Sequence, residues 1–328
     1  MLFLTRREVE QALPMGEVIR AMKLAFSALS AGQVQLPLRT QIPVDEQDAV
    51  ALFMPAYLHH PGRQALCLKA VSVFPGNQAV DLPTIHAAVL VLDSRTGQVQ
   101  ALLEGSSLTA LRTGAASGAA TDLLARPEAR VGAVFGAGIQ GRTQLQAICE
   151  VRDLEQVWIY DLDPERARTL IEDQAGKGMV PKDLRLADSA AQAAANADVI
   201  CTATTAVDPV FSWEDLKRGV HINGVGSYTP EMVEIPPEGF RGSGVFVGSL
   251  EGVMEESGEV ITALDQGFLT QGEITELGRV INGSAPGRIS ADQITIFKSV
   301  GAAVQDAAAA HLALENARKG NLGQELAW

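Results

Sequence analysis

Cysteine, positive charge and long apolar runs are all scarce in this chain, and each shortage argues against a class of function. Only 3 cysteines occur in 328 residues. Cys67, Cys149 and Cys201 form no Cys-x-x-Cys pair and stand in apolar surroundings, as buried reduced thiols of a cytoplasmic protein do, rather than disulfides or metal ligands. Lys and Arg number 26 against 39 Asp and Glu, a formal net charge of -13. Nucleic acid and anionic membrane surfaces would be repelled at long range, so an anionic ligand has to be held by a few placed cations. No membrane span is expected: the run from Ala187 to Ala197 contains Asp, Gln and Asn, and that from Val300 to Leu314 is interrupted by Gln305, Asp306 and His311. Met1 to Leu4 is followed at once by Thr5-Arg-Arg-Glu8, a helix capping box rather than part of a signal peptide. No metal is expected either, because His59 and His60 are adjacent, read best as exposed loop residues beside Pro61-Gly62, and no His/Cys/Asp cluster has ligand spacing. A Ser/His/Asp nucleophile pattern is also missing.

What the chain does have is apolar content, 47 % of its residues, and a length that suits two domains rather than one core. Val18, Met22, Phe26 and Leu29 recur at helical spacing before Gly32. Strand-like runs follow at Val50 to Met54, Ala65 to Phe74 and Ala87 to Asp93, the last passing through a Thr96-Gly97 turn into Val99 to Leu103. A helix of small residues from Ser107 to Leu124 needs another backbone close against it. From Val131 the order alternates: strand to Phe135, helix Gln140 to Cys149, strand Val157 to Tyr160, helix Pro164 to Ala175, then strands at Val199 to Ala203, Val220 to Val225 and Val245 to Val247. Such alternation predicts a parallel sheet with right-handed crossovers and a ligand at the carboxyl ends of its strands. The helix Val300 to Arg318 comes after that sheet is complete and is free to pack back on the N-terminal part.

The most informative local pattern is Gly136-x-Gly138-x-x-Gly141, set between a buried strand and a helix start. The first glycine permits the tight turn, the second lets backbone approach a pyrophosphate, and the third allows close helix packing, while free N-H groups face the anion. Asp161 ends the next strand at the spacing the pattern requires. It is placed to accept hydrogen bonds from the adenosine ribose, which favours NAD(H), or to begin the turn Asp161-Leu-Asp-Pro164. Arg166 and Arg168 leave NADP(H) possible.

Three cations are candidates for holding an anion. Lys69 lies inside an apolar strand run, suited to a ligand carboxylate or to an edge-strand lysine reaching solvent. Arg112, one turn into the helix from Ser107, makes either an anion site with the helix start or a structural ion pair. Arg39, by itself, is an ordinary loop cation.

From end to end the chain resembles the ornithine cyclodeaminase/mu-crystallin family. The matching residues are Pro37-Leu-Arg39, Met54-Pro-Ala56, Lys69 before Phe74-Pro-Gly-Asn77, Leu82-Pro-Thr84, Leu108-Thr-Ala-Leu-Arg-Thr-Gly114, Gly136-Ala-Gly-Ile-Gln140, Ala197-Asp-Val-Ile200, His221-Ile-Asn-Gly-Val-Gly226 and Ile296-Phe-Lys-Ser-Val-Gly301. The resemblance implies an α/β fold, a Rossmann-type doubly wound parallel sheet (116–299) inserted in an α+β dimerisation and substrate domain (1–115 plus 300–328), and a homodimer. It implies that Arg39, Lys69 and Arg112 grip an amino-acid-like carboxylate, Lys69 and Arg112 being the catalytic pair, with Met54 and Tyr228 also at the substrate. The cofactor would be contacted by Thr84, Arg112, Thr113, Gly136, Gly138, Ile139, Gln140, Asp161, Thr202, Thr204, Val225 and Ser299.

One departure separates activities within the family. Cyclodeaminases, and similarly built alanine dehydrogenases, carry Asp two residues after the glycine at 226 and then Pro-Gly-Lys, whereas this chain has Gly226-Ser-Tyr-Thr-Pro-Glu231. Tyrosine, with an unperturbed pKa of about 10, is a poor base at neutral pH, so cyclodeamination is disfavoured. Reduction of a cyclic ketimine carboxylate asks less: the carboxylate is clamped, the imine carbon lies about 3–3.5 Å from the hydride, and water is kept away. The activity expected is reduction of 1-pyrroline-2-carboxylate to L-proline, with reduction of 1-piperideine-2-carboxylate to L-pipecolate as a second activity. The alternatives are an ornithine cyclodeaminase or alanine-dehydrogenase-like enzyme and, in another class, a non-catalytic binder of cofactor and ligand.

Overall fold

In the computed structural model the residues described are 1–37 and 39–327, with Gln78 described by its backbone alone. Leu38, in the Pro37-Leu-Arg39 motif, lies outside the described residues. The chain forms two compact units, Met1–Arg112 with the segment from Ala302 onward, and Thr113–Gly301.

The first unit is an α+β structure. Its strands are Leu2–Leu4 (β1), Val34–Gln35 (β2), Thr40–Val44 (β3), Ala49–His60 (β4), Arg63–Val73 (β5), Ile85–Leu92 (β6) and Val99–Glu104 (β7). They form one sheet in the order β1-β7-β6-β5-β4-β2, with β3 also on β4 and the short strand Gln324–Glu325 closing the β1 edge. Helices Arg6–Ala12 (α1) and Met15–Ser30 (α2) lie between β1 and β2 in the chain, and Thr5 caps α1, its N-H reaching Glu8 Oε2 at 2.8 Å. Val18, Met22 and Phe26 are buried on α2 as their spacing predicts. The C-terminal helix, Ala303–Gly320, packs on α2, β4 and β5. His59 and His60 are not the exposed loop residues expected: β4 runs to His60, and the two pair with Gln64 and Arg63 of β5 across the turn at Gly62 (φ 81). The alternation of Ala56, Leu58 and their neighbours sustains the strand up to Pro61, where the missing N-H stops it.

The second unit is built on eight parallel strands: Val131–Phe135 (β8), Gln156–Tyr160 (β9), Asp183–Leu186 (β10), Val199–Thr202 (β11), His221–Gly224 (β12), Gly244–Val247 (β13), Ile274–Glu276 (β14) and Thr295–Lys298 (β15). Their order, β10-β9-β8-β11-β12-β15-β13-β14, reverses direction between β8 and β11. This is the parallel sheet the alternation predicts, doubly wound as the resemblance implies; β10, β14 and β15 escaped sequence reading because each is short and carries a charged residue, Arg185, Glu276 or Lys298, that interrupts its apolar run. Helix α3, Gly105–Leu124, holds the division between the units, and in the second unit its small residues meet α4, Ile139–Val151: a Cβ at Gly114 would lie 2.5 Å from Thr143 O.

A polar string crosses the buried sheet. Arg288 Nη2 donates to Thr295 Oγ1 at 2.9 Å, Thr295 Oγ1 is 2.9 Å from His221 Nδ1, His221 Nε2 is 3.2 Å from Asn223 Oδ1, and Asn223 Nδ2 donates to Thr121 Oγ1 at 3.0 Å. Because Asn223 Oδ1 only accepts, the network assigns the ring proton to Nε2. Burial first, and then the nearby Arg288 charge, push the His221 pKa down to about 3, so the ring is neutral in the fold. Protonation is thus favoured in the unfolded chain. Stability from this group is complete above pH ~6.5 and falls by about 1.4 kcal/mol per pH unit as pH drops from there toward 3. A His221→Asn variant, unable to take up the proton, is expected to show a shallower loss of unfolding free energy over that window in urea titrations.

Candidate functional site

Of the residues read as cofactor ligands, Thr84 and Arg112 belong to the first unit, and five others gather at one edge of the second. Gly136 follows β8, Asp161 follows β9, Thr202 ends β11, Val225 follows β12 and Ser299 follows β15, so all lie at the carboxyl ends of parallel neighbours, around the reversal of strand order. That is where an open α/β sheet binds its ligand. Gly136 adopts φ 96, in the region that favours glycine, and a Cβ there would lie 2.6 Å from Ala203 O. A Cβ on Gly141 would overlap the Gly136 carbonyl oxygen. Gly138, the N-cap of α4, is different: a Cβ there meets nothing within 4 Å. Its face is open for a phosphate, and Gln140 Oε1 is buried without a hydrogen-bond partner among the described residues. Asp161 does two jobs: Oδ2 accepts from Ala137 N at 2.7 Å, tying the strand end to the glycine turn, and Oδ1 accepts from Asp163 N at 2.9 Å, which makes the turn.

These observations separate two glycines by experiment. Gly141→Ala is expected to abolish dinucleotide binding and lower stability, because backbone has to move. Gly138→Ala is expected to melt like the unsubstituted protein yet bind a reduced nicotinamide dinucleotide more weakly, measured by fluorescence titration.

In the first unit, Met54 and Lys69 are opposite one another on β4 and β5, and Arg39 directly precedes Thr40, whose partner is Phe53. Lys69 and Arg112 both reach the C-terminal helix: Lys69 Nζ is 2.6 Å from Asp306 Oδ2, Arg112 Nε donates to Asp306 Oδ1 at 3.0 Å, and Arg112 Nη1 donates to Gln305 Oε1 at 3.3 Å. All three charged groups are buried, with relative exposures of 3 % for Lys69, 7 % for Arg112 and 0 % for Asp306. The partner of Lys69 within the protein is therefore Asp306, and Lys69 is no edge lysine. Arg112 also departs from expectation: α3 starts at Gly105, which sets Arg112 about two turns in, beyond the helix N-terminus. Its guanidinium is aimed by Asp306 and Gln305 instead.

The electrostatics follow from that triad. Burial lowers the Lys69 pKa, with Arg112 acting in the same direction and Asp306 opposing both. For Asp306, burial alone would raise the pKa, but Lys69 and Arg112 together hold the carboxyl below its ordinary value. Asp306 is thus ionised, and Lys69 releases a proton more readily than a surface lysine. His86 does not share this face: it pairs with Ser72, three residues from Lys69, and the alternation of a strand turns it to the other side.

Thr84 immediately precedes β6 in the first unit, Thr113 opens the second, and Tyr228, 46 % exposed, also belongs to the second. Sequence reading overlooked Asp306, Gln305 and, in the second unit, Glu234, Glu259 and Lys298. The signal was a lone acid or base in an apolar run, which has to find a partner once buried.

The sequence profile of the ornithine cyclodeaminase/mu-crystallin family matches residues 1–321. The chain is 38 % identical to a Delta(1)-pyrroline-2-carboxylate reductase of Bacillus cereus, covering 99 % of each protein. Among solved structures it resembles Thermococcus litoralis Delta(1)-pyrroline-2-carboxylate reductase in complex with NADH and L-proline, with 39 % identity, a TM-score of 0.92 and coverage of 99 % of this chain and 100 % of that one. An archaeal alanine dehydrogenase dimer with bound NAD matches at 31 % identity and a TM-score of 0.90, covering 100 % of this chain and 99 % of the other.

Proposed function

Because the chain belongs to the ornithine cyclodeaminase/mu-crystallin family, we propose that it is a nicotinamide-dependent reductase of cyclic ketimine carboxylates, converting 1-pyrroline-2-carboxylate to L-proline. The observation that carries the reading is the buried triad: two cations, Lys69 and Arg112, share one carboxylate, Asp306, which leaves one positive charge for a ligand. A monocarboxylate satisfies that charge. The relatives named as pyrroline-2-carboxylate reductases support the ring, and 1-piperideine-2-carboxylate, one methylene larger, is the second substrate proposed.

When bound, the nicotinamide supplies a hydride to the imine carbon. Arg112 commits Nε and Nη1 to Asp306 and Gln305, so Nη2 is the edge that meets the substrate carboxylate. Lys69 Nζ gives one hydrogen toward Asp306 and keeps others for the carboxylate or for the ring nitrogen, which has to stay protonated while hydride arrives. Arg39 adds a second clamp. Gly138, Ile139 and Gln140 would hold the pyrophosphate at the start of α4. Tyr228 stands where a cyclising enzyme has aspartate and provides no base for that chemistry.

NAD(H) is the proposed cofactor. Asp161 keeps a negative charge at the ribose position, and the nearby cations are already engaged, Arg166 with Asp163 at 3.5 Å and Arg168 with Glu165. A 2'-phosphate would meet repulsion there. Homodimerisation through the first unit is proposed as well. Ile42, Val80, Leu82 and Ile85 are exposed apolar residues. Ile42 and Ile85 lie at the same end of the sheet, in adjacent rows and so on its opposite faces, Ile42 in the row of Ala51 and Ser72 and Ile85 in that of Val50 and Val73. Apolar surface of this kind is suited to a second copy. Light scattering after gel filtration is expected to give twice the chain mass, and a monomer at micromolar concentration removes the proposal.

The decisive assay mixes the protein with each ketimine and NADH or NADPH and follows nicotinamide oxidation. Turnover of neither ketimine with either cofactor overturns the function proposed. Ammonia release from ornithine, or alanine oxidation, in place of ketimine turnover would put an amino-acid enzyme there instead.

A further inference from the structure

Glu234 is fully buried in the second unit, in the stretch Met232-Val-Glu-Ile235, and no ion pair among the described residues holds it. Its carboxylate is surrounded by donors from two strand ends. Oε1 accepts from Thr204 N at 2.6 Å and Thr204 Oγ1 at 2.7 Å; Oε2 accepts from Thr202 Oγ1 at 2.9 Å, Gly226 N at 2.7 Å and Ser227 N at 3.1 Å. Thr202 and Gly224 are partners on β11 and β12, so this one side chain staples together the two loops that leave the carboxyl ends of adjacent parallel strands. The main chain reinforces it, Val210 N donating to Glu234 O at 2.9 Å and Val233 N to Ala206 O at 3.0 Å. A second buried anchor grips the same turn from β15: Lys298 Nζ donates to Ser227 O at 2.7 Å and lies 2.9 Å from Glu259 Oε1, while Ser227 Oγ donates to Glu259 Oε2 at 2.5 Å.

We infer that Glu234 is a positioning residue for the cofactor site, a built-in anion that fixes the loops at Thr202–Thr204 and Val225–Ser227 before any ligand arrives. The inference rests on the nicotinamide reading above. A carboxylate without a cation survives burial only when its lone pairs are filled, and here they are filled by backbone N-H groups and hydroxyls that would otherwise point in arbitrary directions. Because both loops are tied to one group, neither can shift without breaking bonds to the other. Glutamine in its place keeps the shape but has one acceptor oxygen, and its amide hydrogens face N-H donors, so one strand-end loop has to part from the other. No contact between Glu234 and substrate or cofactor is implied.

The test compares Glu234→Gln with the unsubstituted protein by NADH fluorescence titration at a temperature where both are folded, alongside ketimine kinetics. The dissociation constant and the KM for NADH are expected to rise by about tenfold or more, with kcat at saturating NADH changing less. Unaltered NADH affinity in a folded Glu234→Gln protein overturns the inference, since a purely structural role would lower the melting temperature alone. Hydrogen exchange on the unsubstituted protein decides the matter even if the variant does not fold. The amides of Thr204, Gly226 and Ser227 are expected to be protected without NADH, and rapid exchange that becomes slow only on adding NADH contradicts preorganisation. Failure of the unsubstituted protein to bind NADH would instead overturn the nicotinamide reading.

Discussion

Asp306→Ala is expected to destabilise the protein by about 3–5 kcal/mol, because it leaves two buried cations facing each other without their shared carboxylate. Lys69 and Arg112 are each more than nine-tenths buried, so water does not replace the lost partner. Urea unfolding followed by circular dichroism measures the loss. A Lys69→Met/Asp306→Leu double variant, which removes charge and countercharge together, is expected to be more stable than Asp306→Ala alone. Wild-type stability of Asp306→Ala would show that the triad is not a coupled unit. The sign of the pH dependence follows from the same group: its folded pKa is depressed, so its contribution is present above the unfolded value of about 3.9 and is lost as pH falls through the lower folded one.

Arg112→Ala is expected to lower kcat/KM for the ketimine by about 10²–10³-fold, the consequence of withdrawing a charge-assisted partner from a buried carboxylate. Folding should survive, since Asp306 keeps Lys69 at 2.6 Å. Arg112→Lys is expected to recover little, because lysine lacks the fork that bonds Asp306, Gln305 and a ligand at once. Steady-state kinetics with NADH saturating checks both variants. Full ketimine activity in Arg112→Ala removes the carboxylate clamp from the mechanism, and a loss confined to NADH affinity would move Arg112 to the cofactor.

Much of the site was legible because its signals are local. Gly136, Gly138 and Gly141 announce a strand-turn-helix, in which the backbone leaves no room for a Cβ at Gly136 or Gly141, and the runs at Val131 to Phe135 and Ile139 to Val151 carry enough periodicity to identify their elements. Lys69 and Arg112 stood out as charges in apolar surroundings. His59 and His60 read as loop residues because Pro61 and Gly62 punctuate a hairpin as readily as a loop.

By itself, then, the sequence determined the alternating strands and helices, the glycine turn and the two cations, since each depends on neighbours a few residues away, while the doubly wound sheet and the tyrosine in place of an aspartate came from the family resemblance. Only the tertiary structure decided what those cations face. Asp306 is 194 residues from Arg112 in the chain, and Glu234 reaches strand ends up to 32 residues away. A buried charge is neutralised by whatever the fold brings within hydrogen-bond distance, and no local pattern encodes that choice.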